Sequence, residues 1–328
     1  MTDIAVIGAG RIGQIHAWNL CRHPGAKLRC IVDVSAAAAA ALAERCATVT
    51  ASLESVLADD SIEAIVIASS TDTHAELIAA AAKSRKAIFC EKPLDLDVAT
   101  AKNSLRVVAA ENVLLCVGFN RRHDPSFNRL KDDVVAGLIG DVEVVSITSR
   151  DPAPPPGEYI ARSGGLFRDM MIHDFDMGRW LLGEDPVEVF AAGSNLVDPA
   201  IGAAGDVDTA IAMLRTASGR LCQITNSRRC TYGYDQRIEV FGSGGMVRAA
   251  NQRETLVETA NQDGFARDPA LPFFLERYAD AYRIQLDRFL RAVNGEQIEL
   301  PGGDDGLRAL QIADAAQRSC ESGAPVAL

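Results

Sequence analysis

No stretch of this sequence approaches the roughly 18 consecutive apolar residues that a membrane-spanning helix requires, so no transmembrane segment is expected. The first residues lack a basic stretch, a long apolar core and a small-residue cleavage site, so a secretory leader is not expected either. Tracts of Lys and Arg are missing. With 33 Lys and Arg against 44 Asp and Glu, a formal charge of −11, nucleic acid and anionic membrane surfaces are poor partners. The eight cysteines never form a C-x-x-C pair. Cys30, Cys90 and Cys116 lie inside apolar runs, where a thiol behaves as a small hydrophobic group. That usage speaks for a reducing compartment, by default the cytoplasm, and against structural zinc. The five histidines are dispersed, and no metal site is expected. Internal repeats are also missing.

What is present suffices for real cores: 328 residues, 48% hydrophobic and 23% charged, long enough to predict two domains. The apolar run 4–7 ends in Gly8-Ala9-Gly10-Arg11-Ile12-Gly13, and a helical pattern follows. In that setting Gly8 permits the tight turn, Gly10 lets the backbone approach a pyrophosphate, and Gly13 allows close helix–strand packing. The N–H groups around Arg11 and Ile12 would face the phosphates at a helix N-terminus. A second strand, 28–32, leads to Asp33, whose carboxylate suits the adenosine ribose hydroxyls and would repel a 2′-phosphate. Val34-Ser35-Ala36 supplies no arginine for such a phosphate, so NAD is the expected cofactor.

The alternation continues with an alanine-dense helix at 36–45 and a continuous apolar strand at 64–68. The loop after that strand carries Ser69, Thr71 and His74, which could line the cofactor's path; for His74 a capping or packing role is the alternative. The strand 87–90 runs into Glu91-Lys92-Pro93, where Lys92 lands at the mouth of the ligand crevice and Pro93 restricts its backbone. A helix at 98–110, a strand at 113–117 and Gly118-Phe119-Asn120-Arg121-Arg122 complete a parallel Rossmann sheet. Residues 1–120 thus read as an α/β dinucleotide-binding domain.

Beyond residue 141 the pattern changes. Strands at 142–150, 187–193, 208–216, 220–227, 236–241 and 246–249 follow one another with few helices between them. Short turns between sequential strands imply an open, mostly antiparallel sheet, hence an α+β domain over 121–328. A long helix at 271–293 and a final one at 305–322 close it. Between the first two strands lies Arg168-Asp169-Met170-Met171-Ile172-His173. On a continuous helix Asp169 and His173 would stand at i and i+4 on one face, a carboxylate orienting an imidazole for proton transfer. The plain alternative is a solvated polar pair.

Taken in order, Gly8-x-Gly10-x-x-Gly13, Glu91-Lys92-Pro93, Gly118-Phe119-Asn120-Arg121-Arg122 and Asp169-x-x-x-His173 resemble the glucose–fructose oxidoreductase and inositol dehydrogenase (Gfo/Idh/MocA) family. The resemblance runs across nearly the whole chain. It implies a catalytic group of Lys92, Asp169 and His173, with Glu91, Lys92 and Arg121 also beside the cofactor. It also implies a second domain whose outer sheet face builds homodimers and homotetramers. Ser149-Arg150-Asp151-Pro152 and the stretch from Gly164 to Asp176 are most similar to inositol-oxidising members. These convert myo-inositol to its 2-keto form (scyllo-inosose) with NAD. Lys92, Arg121, Asp151, Asp169, His173, Tyr234 and Tyr282 are then the candidate substrate contacts. Asp151 stands where some relatives carry asparagine, and Tyr232 and Tyr282 could equally be packing residues. Sibling readings are a dehydrogenase for scyllo-inositol or a pyranose sugar; a different class is an NAD-bound regulator without chemistry.

Overall fold

The structure, a computed structural model, describes residues 1–328 apart from the side chain of Ala161. The chain forms two compact units, Met1–His123 with Ala281–Leu310, and Asp124–Asp280 with Gln311–Leu328. The chain therefore returns to the first unit late, where a single cut near residue 120 was expected.

In the first unit, β1 (Thr2–Ile7), β2 (Ala26–Val32), β3 (Val49–Thr50), β4 (Ala64–Ile67), β5 (Ala87–Cys90) and β6 (Leu115–Val117) form one sheet in the order β3-β2-β1-β4-β5-β6. Every pairing is parallel. Such strands are covered on both faces and need apolar residues throughout. Accordingly Ala64, Ile65, Val66 and Ile67 of β4 are all fully buried. The strand order reverses direction between β1 and β4, the point where ligands bind in open α/β sheets. Ser35 and Asp97 cap the N-termini of the helices Ala36–Arg45 and Val98–Glu111 by accepting from the N–H groups of Ala38 and Thr100. The core joins Ile4, Val6, Leu20, Ile31, Val66 and Phe89 to Leu286, Phe289 and Leu290 of the helix Ala279–Val293. Each such side chain is worth about 1.5–3 kcal/mol of burial, which explains why this helix belongs to the first unit.

In the second unit β7 (Val142–Arg150), β8 (Pro186–Ser194), β9 (Thr209–Thr216), β10 (Leu221–Ser227), β11 (Asp235–Gly242) and β12 (Gly245–Ala249) combine with the C-terminal β15 (Val326–Ala327). The order is β12-β11-β7-β10-β9-β8-β15, and all pairings are antiparallel except β7 with β10. A separate hairpin, β13 (Glu258–Asn261) with β14 (Gly264–Arg267), stands exposed. Along β9, Ala210, Ala212 and Leu214 are buried while Ile211, Met213 and Arg215 are exposed. The buried face carries the helix Ile172–Leu182 at close range: a Cβ on Gly178 would lie 3.1 Å from Cys222 Sγ.

Two helices differ from expectation. The segment 271–293 is split at Tyr278 into Phe274–Arg277 and Ala279–Val293. Tyr278 is buried, and its hydroxyl donates to Gln236 Oε1 at 3.0 Å, a tertiary bond that competes with helix continuity. The stretch containing Asp169 and His173 is likewise two helices, Gly165–Asp169 and Ile172–Leu182. The Leu166 carbonyl accepts from both Met170 N and Met171 N at 2.9 Å, so one residue is inserted into the helical ladder. Such insertions re-aim the side chains that follow and recur at functional sites. Asp169 and His173 are therefore not stacked on one continuous helix.

Candidate active site

The first unit builds a phosphate cradle from its own backbone. Gly8 adopts φ +106°, and a Cβ there would lie 2.4 Å from the Ala68 carbonyl oxygen. A Cβ on Gly13 would lie 1.9 Å from the Gly8 carbonyl oxygen, so the helix Arg11–Arg22 is pressed against the loop it follows. Gly10 behaves otherwise: a Cβ there would meet nothing within 4 Å. No protein contact demands glycine at that position, and the open space lies in front of a helix whose N-cap, Gly10, makes no side-chain capping bond. A bare helix N-terminus beside an open backbone fits a pyrophosphate. Asp33, at the end of β2, accepts from Ala9 N at 2.6 Å and from Ser35 N at 2.7 Å, which pins its carboxylate beside the loop. These residues fit NAD.

The other first-unit candidates divide. Ser69 and Thr71 lie in the turn after β4; Ser69 Oγ is 2.6 Å from Thr73 Oγ1, and the Gly8 backbone approaches Ser69 N. His74 is buried, with Nδ1 2.7 Å from the Pro93 carbonyl and Nε2 3.3 Å from that of Ser69. Burial pushes its pKa down, against the pull of those carbonyls. The ring thus lies between the loops that carry Pro93 and Ser69. Lys92 is half-buried at the end of β5, and its peptide bond to Pro93 is cis. Glu91 is buried, 2.7 Å from Nε2 of the fully buried His16, and a Cβ on Gly118 would meet its carboxylate at 2.7 Å. His16 sits on the helix after the glycine loop, so this pair links the phosphate cradle to the turn carrying Lys92. Sequence reading missed it, since a lone histidine on an apolar helix face carries no signal. Arg121 is buried in the turn Asn120–His123. Tyr282 belongs to the first unit, its ring centroid 5.9 Å from that of His16 in an edge-to-face arrangement.

The second unit holds the acid–imidazole pair. Asp169 ends its short helix and is half-buried; Oδ1 accepts from the Tyr159 hydroxyl at 2.8 Å, and Oδ2 lies 3.6 Å from Nη2 of the buried Arg228. His173 stands in the first turn of Ile172–Leu182, half-buried. One residue on, Asp174 is fully buried and accepts from Ser149 Oγ at 2.6 Å and Asn226 Nδ2 at 2.9 Å. These bonds lock the start of the His173 helix onto β7 and β10. Ser149 Oγ also reaches Gln236 Oε1 at 3.2 Å, extending the network to β11. Asp151 follows β7, its N–H donating to the Ser227 carbonyl at 2.9 Å. Tyr234 is buried edge-on to Phe273 and Tyr278. Tyr232 is half-exposed; its hydroxyl donates to Asp235 and accepts from Arg150, and its pKa is pushed up to about 12 by desolvation and by Asp235. Among the described residues no group of three or more His, Cys, Asp or Glu is arranged to hold a metal, and no helix is long and apolar enough to cross a membrane.

Known proteins share this construction. Residues 2–119 match the profile of the oxidoreductase family's NAD-binding Rossmann fold, and residues 131–328 that of the same family's C-terminal alpha/beta domain. The inositol 2-dehydrogenase of Rhizobium meliloti is 50% identical over 96% of this chain and 95% of its own length. A crystal structure of a myo-inositol dehydrogenase from Corynebacterium glutamicum superposes with a TM-score of 0.95 at 42% identity, covering 100% of this chain and 99% of that one. The scyllo-inositol dehydrogenase of Lactobacillus casei, solved with NAD(H) and scyllo-inositol, gives a TM-score of 0.93 at 30% identity over 100% of this chain and 99% of its own. The chain belongs to the Gfo/Idh/MocA family of oxidoreductases.

Proposed function

We propose that the protein is an NAD-dependent polyol dehydrogenase that oxidises myo-inositol to 2-keto-myo-inositol. The observation that carries the reading is the glycine loop with Asp33 locked against it. An open backbone at Gly10 and a carboxylate held beside the loop suit a dinucleotide without a 2′-phosphate. Half identity to an inositol 2-dehydrogenase over almost the full chain supplies the substrate class.

The reaction removes a hydride from a secondary carbinol carbon and a proton from its hydroxyl, leaving a ketone. When bound, NAD accepts the hydride and its two electrons. The proton is the protein's task, and we assign it to His173, an imidazole suited to exchange protons near neutrality. Asp169 orients that ring and offsets the imidazolium charge. Lys92 donates a hydrogen bond to the substrate oxygen and stabilises the charge that develops as the O–H bond breaks. Arg121, Asp151, Tyr234 and Tyr282 are the proposed partners of the remaining hydroxyls. The Asp174–Ser149–Asn226 network supports this assignment because it anchors the first turn bearing His173, and a base must be held to a fraction of an ångström.

The same reading makes the protein a homo-oligomer, a tetramer by resemblance, built on the open face of the seven-stranded sheet. We also assign it to the cytoplasm and to the catabolic use of inositol.

The decisive measurement is NAD reduction by purified protein with a panel of inositol stereoisomers and pyranose sugars. Turnover with myo-inositol above the other members is expected, with NADP a poor substitute. A flat response across the panel would remove the proposal, and preference for scyllo-inositol or a sugar would redirect it.

A further inference from the structure

Behind Asp169, in the second unit, stand Arg228 and Asp206, two charged residues that the proton-handling scheme does not use. Arg228 is 1% exposed, yet its side chain is a charged fork. Its Nη2 lies 3.6 Å from Asp169 Oδ2 and 3.7 Å from Asp206 Oδ2, almost midway between two carboxylates. Among the described residues neither Nε nor Nη2 has a hydrogen-bond partner. Both sides of this fork are fixed. The Arg228 backbone N–H donates to the Asp208 carbonyl at 2.8 Å. The buried Asp208 carboxylate in turn accepts from the N–H groups of Leu196, Val197 and Asp198. Asp206 Oδ1 accepts from Leu166 N at 2.9 Å, in the first turn of the helix that ends in Asp169. A Cβ on Gly165 would lie 2.9 Å from that same oxygen, so the loop is pressed onto the helix start.

A buried guanidinium is costly unless its charge is matched, and here the match is divided between the helix start and its last residue. We propose that Arg228 is the positioning residue of the Asp169–His173 pair. Its guanidinium, braced by Asp206, fixes the Asp169 carboxylate and supplies the positive charge behind it. With Tyr159 donating to Oδ1 at 2.8 Å, the carboxylate is held from both oxygens. The 3.6 Å separation is long for a bonded pair, as catalytic contacts often are before substrate binds. This inference rests on the reading of Asp169 and His173 as the proton-handling pair.

The test compares Arg228→Met and Arg228→Lys with Asp169→Asn and His173→Ala in the full-length protein, with active sites counted by NAD binding. Misplacing a catalytic group by an ångström can cost about 100-fold, so Arg228→Met should lower kcat per NAD-binding site by roughly that factor while NAD affinity stays near wild type. Arg228→Lys, which keeps the charge but not the fork, should recover part of the loss. A merely structural arginine would lower thermal stability and the count of active sites but leave kcat per site unchanged. That result, alongside inactive Asp169→Asn and His173→Ala, overturns the proposal and spares the proton-handling assignment. Should Asp169→Asn and His173→Ala keep wild-type turnover, the assignment falls and the proposal with it. If Arg228→Met does not fold, the double variant Arg228→Gln/Asp206→Asn removes both buried charges together, and the same loss of kcat per site is expected.

Discussion

Asp33 shows how much one carboxylate can decide. Two backbone N–H groups hold it, from Ala9 at 2.6 Å and Ser35 at 2.7 Å, so its geometry is set by the chain rather than by the ligand. Serine at this position keeps an acceptor for the loop but loses the charge that ribose hydroxyls favour and a 2′-phosphate opposes. A hydrogen bond to a charged group is worth about 1.5–3 kcal/mol, and about 1.4 kcal/mol is tenfold in affinity. Asp33→Ser should therefore raise the KM for NAD by roughly tenfold or more and narrow the NAD/NADP ratio of kcat/KM. An unchanged ratio in steady-state kinetics would deny Asp33 its ribose role. The place of Asp33 beside the glycine loop was legible from sequence because it follows from distance along the chain to that loop. His16 and Arg228 were not. Their partners, Glu91 and Asp169, come from other elements, and a single buried histidine or one arginine of an Arg-Arg pair looks like many others.

Among the elements, those whose pattern is forced by burial were the easiest to read. A parallel strand covered on both faces must be apolar throughout, and β4 and β5 follow that rule. The strands of the second sheet alternate because one face is open, as β9 does. Elements outside this logic escaped notice. The hairpin β13–β14 is exposed at every residue and carries no alternation. The break after Asp169 occurs at two methionines, good helix formers, and arises from the doubled acceptance at the Leu166 carbonyl. The parallel pairing of β7 with β10 places strands side by side that are separated by two others in sequence. The glycine loop yields a prediction at this scale, because Gly10 and Gly13 are glycine for different reasons. Gly10 has φ −68°, suited to any residue, and open space before it. Gly10→Ala should keep the wild-type melting temperature and lose NAD affinity by at least about tenfold, the methyl occupying the phosphate's place. Gly13→Ala drives a Cβ to 1.9 Å from a carbonyl oxygen, an overpacking that costs about 1–3 kcal/mol. It should lower the melting temperature by several degrees, at about 2–4 °C per kcal/mol. Calorimetry and NAD titration separate the two; equal thermal loss in both variants would contradict the reading of Gly10.

For the whole molecule the open face of the second sheet is the feature that calls for a partner. Leu221 pairs with Val144, Val144 with Phe241 and Phe241 with Met246, so an apolar row crosses β10, β7, β11 and β12 on one face. Phe241 is 48% exposed, and Ile211 and Met213 extend the patch on β9 at 58% and 45%. Contiguous exposed apolar surface of this kind marks an interaction site, and an isologous contact between two copies would cover it with itself. The row ends at the Arg215–Glu188 ion pair, 3.2 Å apart on the same face, a polar rim of the sort that borders protein interfaces. Phe241→Glu places a carboxylate in the middle of the row. It forfeits about 1.5–3 kcal/mol of burial and adds the cost of desolvating a charge, so self-association should weaken by at least about 100-fold. Light scattering should then report a smaller particle than wild type at the same concentration. The far-ultraviolet circular dichroism should be unchanged, because the side chain is on the open face and takes no part in the core. A variant that retains the wild-type mass would move the contact away from this sheet, with the exposed hairpin bearing Phe265, 79% exposed, as the next surface to alter.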